Sequence, residues 1–133
     1  MKRELNLKMM IKSMKPKLNR GTYIFTTLKT IDHIDRSDII CEFKEEEGIT
    51  LIIQKEKADE LNLKYEFVAS WITLTVHSSL NAIGLTAEFS RELTKHQISC
   101  NVIAGYYHDH IFVNVKDKNK AIEVLENLSK NYK

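Results

Sequence analysis

Two histidines flank an aspartate in the short stretch His108–His110, which follows two adjacent tyrosines, Tyr106 and Tyr107. These side chains could ligate a metal, pair a base with a group that orients it, or offer polar contacts to a bound molecule. Apolar residues run on both sides, in I98-S-C-N-V-I-A104 and I111-F-V-N-V115. Two apolar runs joined by a short glycine-containing turn predict a β-hairpin with the histidines at its tip.

A metal site at this tip needs more ligands than the histidine pair supplies. His108 and His110 would share one side of a continuing strand, but a tetrahedral zinc site takes three or four protein ligands. His77, Asp109 and Cys100 are the nearest candidates in the sequence, and none of them has the spacing of a known metal motif. We therefore expect no metal and no cofactor.

Catalysis has even less support in these residues. Adjacent residues such as His108 and Asp109 usually point apart, and the serines of H77-S-S79 lack the surroundings of a nucleophile elbow. Without a nucleophile–base pair, the sequence predicts that the protein is not an enzyme. An enzyme or metal protein built on the three tip residues is the third alternative.

The composition is typical of a soluble globular chain. The sequence has 133 residues, of which 43% are hydrophobic and 29% charged, which suits one domain or two very small ones. No apolar run approaches the ~20 residues of a membrane helix, and the basic start lacks the apolar core of a signal peptide. We expect a cytoplasmic protein without a membrane partner.

The first twenty residues carry seven basic side chains and one acid, Glu4, although the net charge of the whole chain is only +2. Leu7, Met10, Ile11 and Met14 keep helical spacing, so the basic residues are expected on the exposed face of an amphipathic helix that Pro16 ends. Because no aromatic residue interleaves with them, we do not expect a nucleic-acid partner.

The rest of the chain alternates strand and helix patterns. The predicted elements are a strand at 22–28, a hairpin of 38–43 and 49–54, a helical turn at 57–63, a strand at 71–77, a helix at 82–95, two strands at 98–104 and 111–115, and a last helix capped by Asp117.

The order from residue 71 onward is strand, helix, strand, strand, helix. This is the βαββα part of a ferredoxin-like unit, which places helices on one face of an antiparallel sheet. We expect the fourth strand of this unit from the N-terminal half, which itself looks like an incomplete copy. The predicted fold class is α+β, with two intertwined ferredoxin-like (βαββαβ) units over residues 1–65 and 66–133 that complete each other, either as two domains or as one compact domain.

The strand at 71–77 alternates in character. Ile72 and Leu74 point to one face, whereas Trp71, Thr73 and Thr75 point to the other. If helices cover the first face, the second is expected to be open. A mixed face of tryptophan and threonine suits a partly buried interface between two subunits.

The segment H77-S-S-L-N-A-I-G-L-T-A-E-F-S-R-E-L-T-K-H-Q-I-S-C-N-V102 resembles the ACT domain, a small regulatory module that binds amino acids. In that pattern a strand leads into a loop whose glycine, here Gly84, opens a helix that a second strand follows. The resemblance extends over residues 70–129. The whole chain is also similar to small bacterial stand-alone ACT proteins of unassigned activity, which are thought to hold two ACT-like units in one chain.

The resemblance implies a binding pocket around the start of the helix at Gly84. A helix N-terminus offers N–H donors and the positive end of a dipole to the carboxylate of an amino acid. The ammonium group would find its acceptors on the adjacent strand, and the hairpin tip would complete the pocket. The expected ligand-binding residues are Ser78, Ser79, Asn81, Ile83, Gly84, Leu85, Asn101, Val102, Ile103, Tyr106, Tyr107, His108, Asp109 and His110.

One departure from the family pattern is visible. Many ACT loops carry an acidic residue and a proline before the glycine, whereas this sequence has N81-A-I83. Helix capping is the structural alternative for Ser78, Ser79 and Asn81. The expected function is a non-catalytic regulatory protein, a homodimer, that binds an amino acid or similar metabolite. The alternative is an assembly module that contacts another protein and takes no small ligand.

Overall fold

The computed structural model describes residues 2–76 and 81–133, and the chain divides into two compact units. Residues 20–70 form one, here the middle unit; residues 1–19 and 71–133 form the other, the terminal unit. The elements are α1 (Lys2–Ser13), β1 (Pro16–Leu18), β2 (Tyr23–Leu28), β3 (Ile39–Lys44), β4 (Ile49–Gln54), α2 (Lys55–Glu60), β5 (Val68–Leu74), α3 (Leu85–Lys95), β6 (Asn101–Ala104), β7 (Asp109–Asn114) and α4 (Lys118–Asn131). None of the helices in the described ranges is both long and apolar enough to span a membrane.

The sheet of the terminal unit has the strand order β1-β5-β7-β6. β1 lies antiparallel to β5, with Pro16 opposite Leu74 and Leu18 opposite Ile72. The backbone N–H of Thr75 donates to the carbonyl of Lys15 at 2.9 Å and so extends this pairing. The strand expected from the N-terminal half is therefore β1, and the sheet has the strand order of a ferredoxin-like unit.

Three helices bury their apolar faces on one side of this sheet. α3 contributes Leu85, Phe89 and Leu93 at four-residue intervals, which confirms the predicted amphipathic stripe. α1 adds Ile11, and Met14 follows directly after the helix; they are 0% and 1% exposed. α4 supplies a further apolar face, made of Ala121, Val124, Leu125 and Leu128. The N-terminal helix is thus a structural part of the terminal unit.

The middle unit is a smaller sheet with the order β3-β4-β2-β5. β4 is the antiparallel partner of β3 on one side and of all six residues of β2 on the other. The first residues of β5 pair with Tyr23 and Ile24 of β2. Its core is centred on Ile24, Leu51 and Ile53. The α+β, ferredoxin-like fold class is confirmed in this antiparallel architecture.

Two predicted element boundaries are wrong in ways that affect the site. β7 begins at Asp109 rather than at residue 111, because Ala104 pairs with Asp109 and Ile103 with His110 across the hairpin. α3 begins at Leu85 rather than at Ala82. His110 is consequently a strand residue, and residues 82–84 lie before α3 rather than in it.

The expected cap of the last helix forms differently. Asp117 stands at the N-cap position of α4, but its side chain makes no capping hydrogen bond. The side chain of Asn114 accepts the backbone N–H of Lys116 at 3.1 Å instead and caps the short 3-10 turn that precedes α4.

On the face of β5 that the sequence predicts to be open, Thr73 is buried, whereas Trp71 and Thr75 are partly exposed. Thr73 is 7% exposed, and Phe112 of β7 is 1% exposed. The ring of Trp71 stacks on Phe112 with 5.9 Å between centroids, and the amide of Asn19 donates to the hydroxyl of Thr73 at 2.9 Å. The burial of Thr73 removes it from the surface that the sequence offers to a second subunit.

The burial of α1 predicts an unequal effect of two substitutions in one helix. We expect Ile11→Ala to lower the free energy of unfolding by about 2–5 kcal/mol, because it opens a cavity in the core of the terminal unit. Met9, which is 61% exposed, serves as the control, and Met9→Ala should change stability by less than about 0.5 kcal/mol. Urea unfolding measures the stability of both variants. Equal losses of stability would mean that α1 does not belong to this core.

Candidate functional site

The start of α3 is built around Gly84. This glycine has a φ of 100°, in the left-handed region, and its carbonyl accepts the N–H of Glu88 at 3.0 Å to open the helix. A Cβ at this position would lie 2.9 Å from the Cδ2 atom of Leu7 in α1. Both the backbone conformation and the close approach of α1 therefore favour glycine here.

Within residues 2–76 and 81–133, no side chain caps the first N–H groups of α3. The N–H groups of Leu85, Thr86 and Ala87 have no partner inside the helix, and no side chain caps them at Gly84. They lie at the positive end of the helix dipole, which favours an anion. Glu88, the acid of this turn, is paired with Arg91 at 3.1 Å, which offsets its charge.

The residues around this helix start differ in accessibility. Asn81 and Ile83 are exposed, and Ile83 has 57% of its surface open. The side chain of Leu85 is buried in the core at 3%, so only its backbone can meet a ligand. Ser78 and Ser79, two further predicted site residues, lie outside the described residues.

The predicted hairpin tip is a turn of four residues between β6 and β7. The N–H of Gly105 donates to the carbonyl of His108 at 2.9 Å and closes the turn. A Cβ on Gly105 would lie 2.9 Å from that same carbonyl oxygen, so the turn requires glycine. Tyr106 and Tyr107 are 75% and 63% exposed, and their rings meet edge to face at 5.1 Å.

His110 accepts hydrogen bonds in a polar array behind the tip. The indole N–H of Trp71 donates to Nδ1 of His110 at 3.0 Å, and the hydroxyl of Thr73 lies 3.1 Å from the same nitrogen. The amide of Asn19 donates to the Thr73 hydroxyl. Three segments of the terminal unit, namely β5, β7 and the end of β1, are joined by these four side chains.

This array fixes the protonation state of His110. An indole N–H can only donate, so Nδ1 must be the unprotonated acceptor and the proton must reside on Nε2. Burial lowers the pKa of His110, nearby His108 lowers it further, and Asp109 opposes both effects. His110 is therefore held in its neutral form.

The remaining polar groups of the tip have partners or raised pKa values. Nδ1 of His108 lies 3.3 Å from the carbonyl of Val76, at the end of the chain segment that follows β5. Burial raises the pKa of Asp109, against the effect of His110. Burial also raises the pKa of Cys100 to about 11, so its thiol stays protonated near neutral pH and is a poor metal ligand.

The described ranges, 2–76 and 81–133, contain no group of three histidine, cysteine or acidic side chains that could hold a metal ion. Within the tip, Nδ1 of His110 already faces Trp71 and Thr73. The arrangement can support hydrogen bonds to a ligand more readily than metal coordination.

The β6 residues of the predicted site line the edge of this hairpin. Asn101 lies opposite Phe112 and donates its side-chain N–H to the Phe112 carbonyl at 3.3 Å, while Ile103 lies opposite His110. Val102 is 36% exposed. The structure thus brings the predicted residues of β6 and β7 together, and His108 connects them to the end of β5.

Sequence reasoning missed several partners of the site. Asn19 and Leu7 lie far away in sequence, and no local pattern links them to the tip or to Gly84. Trp71 was a detectable signal, because a buried indole N–H normally needs an acceptor. The sequence contains no indication that this acceptor is His110.

Two family models described as ACT domains match the chain, one over residues 3–70 and the other over residues 66–127. The chain is similar to a crystal structure from Vibrio cholerae, a protein of unknown function described as a possible transport protein. The two are 42% identical over 96% of this chain and 98% of that one, with a TM-score of 0.85. A comparison with curated proteins finds no match.

Two more distant structures share the fold. An Agrobacterium tumefaciens protein is 15% identical over 87% of this chain and 89% of that one, with a TM-score of 0.70. The ligand-free regulatory subunit of aspartate kinase from Thermus thermophilus is 7% identical over 85% of this chain and 95% of that one, with a TM-score of 0.59.

The His110 array predicts a pH-dependent stability. Because the pKa of His110 is lower in the folded chain than its ordinary value of 6.5, the unfolded chain binds more protons just below that value. The free energy of unfolding should therefore be fully retained above about pH 6.5 and fall as the pH drops toward the lowered pKa. In His110→Asn, an amide oxygen can accept from Trp71 without titrating, so this fall should be smaller.

Urea unfolding of both proteins between about pH 7 and 5.5 measures the difference. The raised pKa of Asp109 acts with the opposite sign, and Asp109 is present in both proteins. His33→Asn, at an exposed loop histidine, is the matched control and should keep the wild-type pH dependence. An equally steep loss in His110→Asn would contradict the assigned hydrogen bond.

Proposed function

Because this chain belongs to the ACT-domain family, we propose that it is a non-catalytic regulatory protein that binds an amino acid or a similar small metabolite. The observation that carries the proposal is the start of α3, which no side chain in the described part of the chain caps and whose N–H groups and helix dipole lie beside exposed Asn81 and Ile83. A carboxylate is the ligand group that such a site prefers.

The proposed pocket has three parts. The N–H groups of the first turn of α3, together with Ser78, Ser79 and Asn81, hold the carboxylate. Backbone carbonyls near residues 101–103 accept the ammonium group, and the tip residues 106–110 close the pocket. Support for the last two parts comes from the hairpin geometry and from the contact of His108 with Val76.

The two ACT-domain family matches support a regulatory role in general terms. A regulatory subunit of aspartate kinase shares the fold of this chain, and at 7% identity the likeness concerns the fold alone. A homodimer, a cytoplasmic location and a division into units over residues 1–65 and 66–133 stay predictions.

A negative charge at the start of α3 should block ligand binding without weakening the fold. Thr86 is exposed in the first turn, so Thr86→Glu interacts favourably with the helix dipole while it repels a carboxylate. Thermal unfolding of the wild type against each standard amino acid should give a midpoint shift of several degrees with one or a few of them, at about 100 times the dissociation constant. At least one of these ligands, the one that binds at α3, should shift Thr86→Glu little.

Thr86→Gln is the matched control, because it has a side chain of similar size without the charge. It should respond to the ligands as the wild type does. If Thr86→Glu keeps the full response to every amino acid that shifts the wild type, the carboxylate does not bind at α3. If the wild type responds to no amino acid at millimolar concentration, the ligand class itself is wrong.

A specific observation also favours assembly as a second candidate function. Tyr106 and Tyr107 project from the hairpin tip with most of their surface exposed. Tyrosines are enriched where proteins meet, because a large apolar ring carries a hydroxyl that can still form hydrogen bonds. The tip could therefore contact a second subunit.

Under this second function, the double substitution Tyr106→Ser and Tyr107→Ser should reduce self-association. The free energy of unfolding should change by less than about 0.5 kcal/mol, because both side chains are exposed. Light scattering coupled to gel filtration measures the mass. Phe43→Ser, which removes an aromatic residue that is 68% exposed in the middle unit, is the control and should leave the mass unchanged. A wild-type monomer would exclude the assembly role of the tip.

A further inference from the structure

The middle unit contains a depression of about 620 Å³ that none of the site residues above touches. Its volume lies within the roughly 300–1,000 Å³ of ordinary small-molecule sites. Three threonines, three aromatic residues and one charge of each sign line it: Phe25, Thr26, Thr27, Thr50, Lys64, Tyr65, Glu66 and Phe67.

The depression exists because β5 pairs with only part of β2. β4 pairs with all six residues of β2, whereas β5 pairs with Tyr23 and Ile24 alone. Beyond Ile24, the segment 64–67 runs beside β2 without joining the ladder. The hydroxyl of Thr26 donates to the carbonyl of Lys64 at 2.7 Å, which holds this segment near the strand.

The wall formed by this segment is held in place by its aromatic side chains. The hydroxyl of Tyr65 donates to the carboxylate of Asp59 at 2.6 Å, and the Lys55 ammonium lies 6.0 Å from the centre of the Tyr65 ring. The ring of Phe67 meets that of Phe25 with 6.1 Å between centroids. A wall that is ordered before binding loses less conformational entropy when a ligand arrives.

The two charged side chains of the wall form no ion pair within the described part of the chain. Lys64 and Glu66 are both exposed, and neither forms an ion pair with any residue that the structure describes. In contrast, Lys55 and Lys57 in the preceding helix are paired with acids. The depression therefore offers an ammonium and a carboxylate on the same short segment, beside an aromatic surface.

We propose that this depression is a second ligand site, which takes a small zwitterion with an apolar ring or branched chain. Lys64 binds the carboxylate of the ligand, Glu66 binds its ammonium group, and Phe25 and Phe67 contact its apolar part. The hydroxyl of Thr27, at the exposed end of β2, offers one more hydrogen bond. No residue of this site is shared with the start of α3, so the proposal stands independently of the proposed function.

Calorimetric titration of the whole chain with three related probes tests the two charge assignments. The probes are L-phenylalanine, hydrocinnamate, which lacks the ammonium group, and phenethylamine, which lacks the carboxylate. Wild type should bind L-phenylalanine roughly 10- to 100-fold more tightly than either analogue. Lys64→Gln should weaken the binding of L-phenylalanine and hydrocinnamate by a similar factor and leave the affinity for phenethylamine unchanged. Glu66→Gln should weaken the binding of L-phenylalanine and phenethylamine and leave the affinity for hydrocinnamate unchanged.

The controls separate this site from the one at α3. Lys44→Gln, at an exposed lysine of β3 outside the depression, should bind all three probes as wild type does. Thr86→Glu should also keep this binding. If Thr86→Glu abolishes it while the Lys64 and Glu66 variants retain it, the α3 site stands and the second site is wrong. No binding of L-phenylalanine by wild type at about 10 mM would also overturn the second site.

Discussion

The pairing of β1 with β5 is the constraint on which the terminal unit depends. Residues 71–133 supply three strands and two helices, and without β1 the backbone of β5 would keep an unpaired edge beside a hydrophobic core. Once β1 occupies that edge, α1 must lie on the same face as α3 and α4, where Ile11 and Met14 are buried. The position of α1, at the start of the chain, therefore depends on the pairing of β1 with β5, a strand near the middle of the sequence.

This pairing also shapes both parts of the candidate site. The end of β1 carries Asn19 to Thr73, which completes the array around His110. The same fold brings Leu7 against Gly84, so the glycine that opens α3 is in contact with the N-terminal helix. A ligand at α3 would bind next to α1, and changes in the packing of α1 would alter the shape of that site.

The regular parts of the fold could be predicted from local patterns. The four-residue spacing of Leu85, Phe89 and Leu93 identifies a helix, and the two runs around Gly105 identify a hairpin, because each pattern reports contacts between near neighbours. Local patterns do not identify contacts between segments that are distant in sequence. The indole of Trp71 required an acceptor, but only the register of β5 beside β7 selects His110. The burial of Thr73 likewise depends on Asn19, more than fifty residues away.

The central claim is that a carboxylate ligand binds the N–H groups at the start of α3. Titration of isotope-labelled protein with the standard amino acids, followed by the backbone amide resonances, tests it most directly, because the amides of Leu85, Thr86 and Ala87 would be the ligand's own donors. We predict saturable shifts that are largest at these three amides for one or a few amino acids. Saturable binding that leaves these amides unmoved, or no binding at millimolar concentration, would contradict the claim.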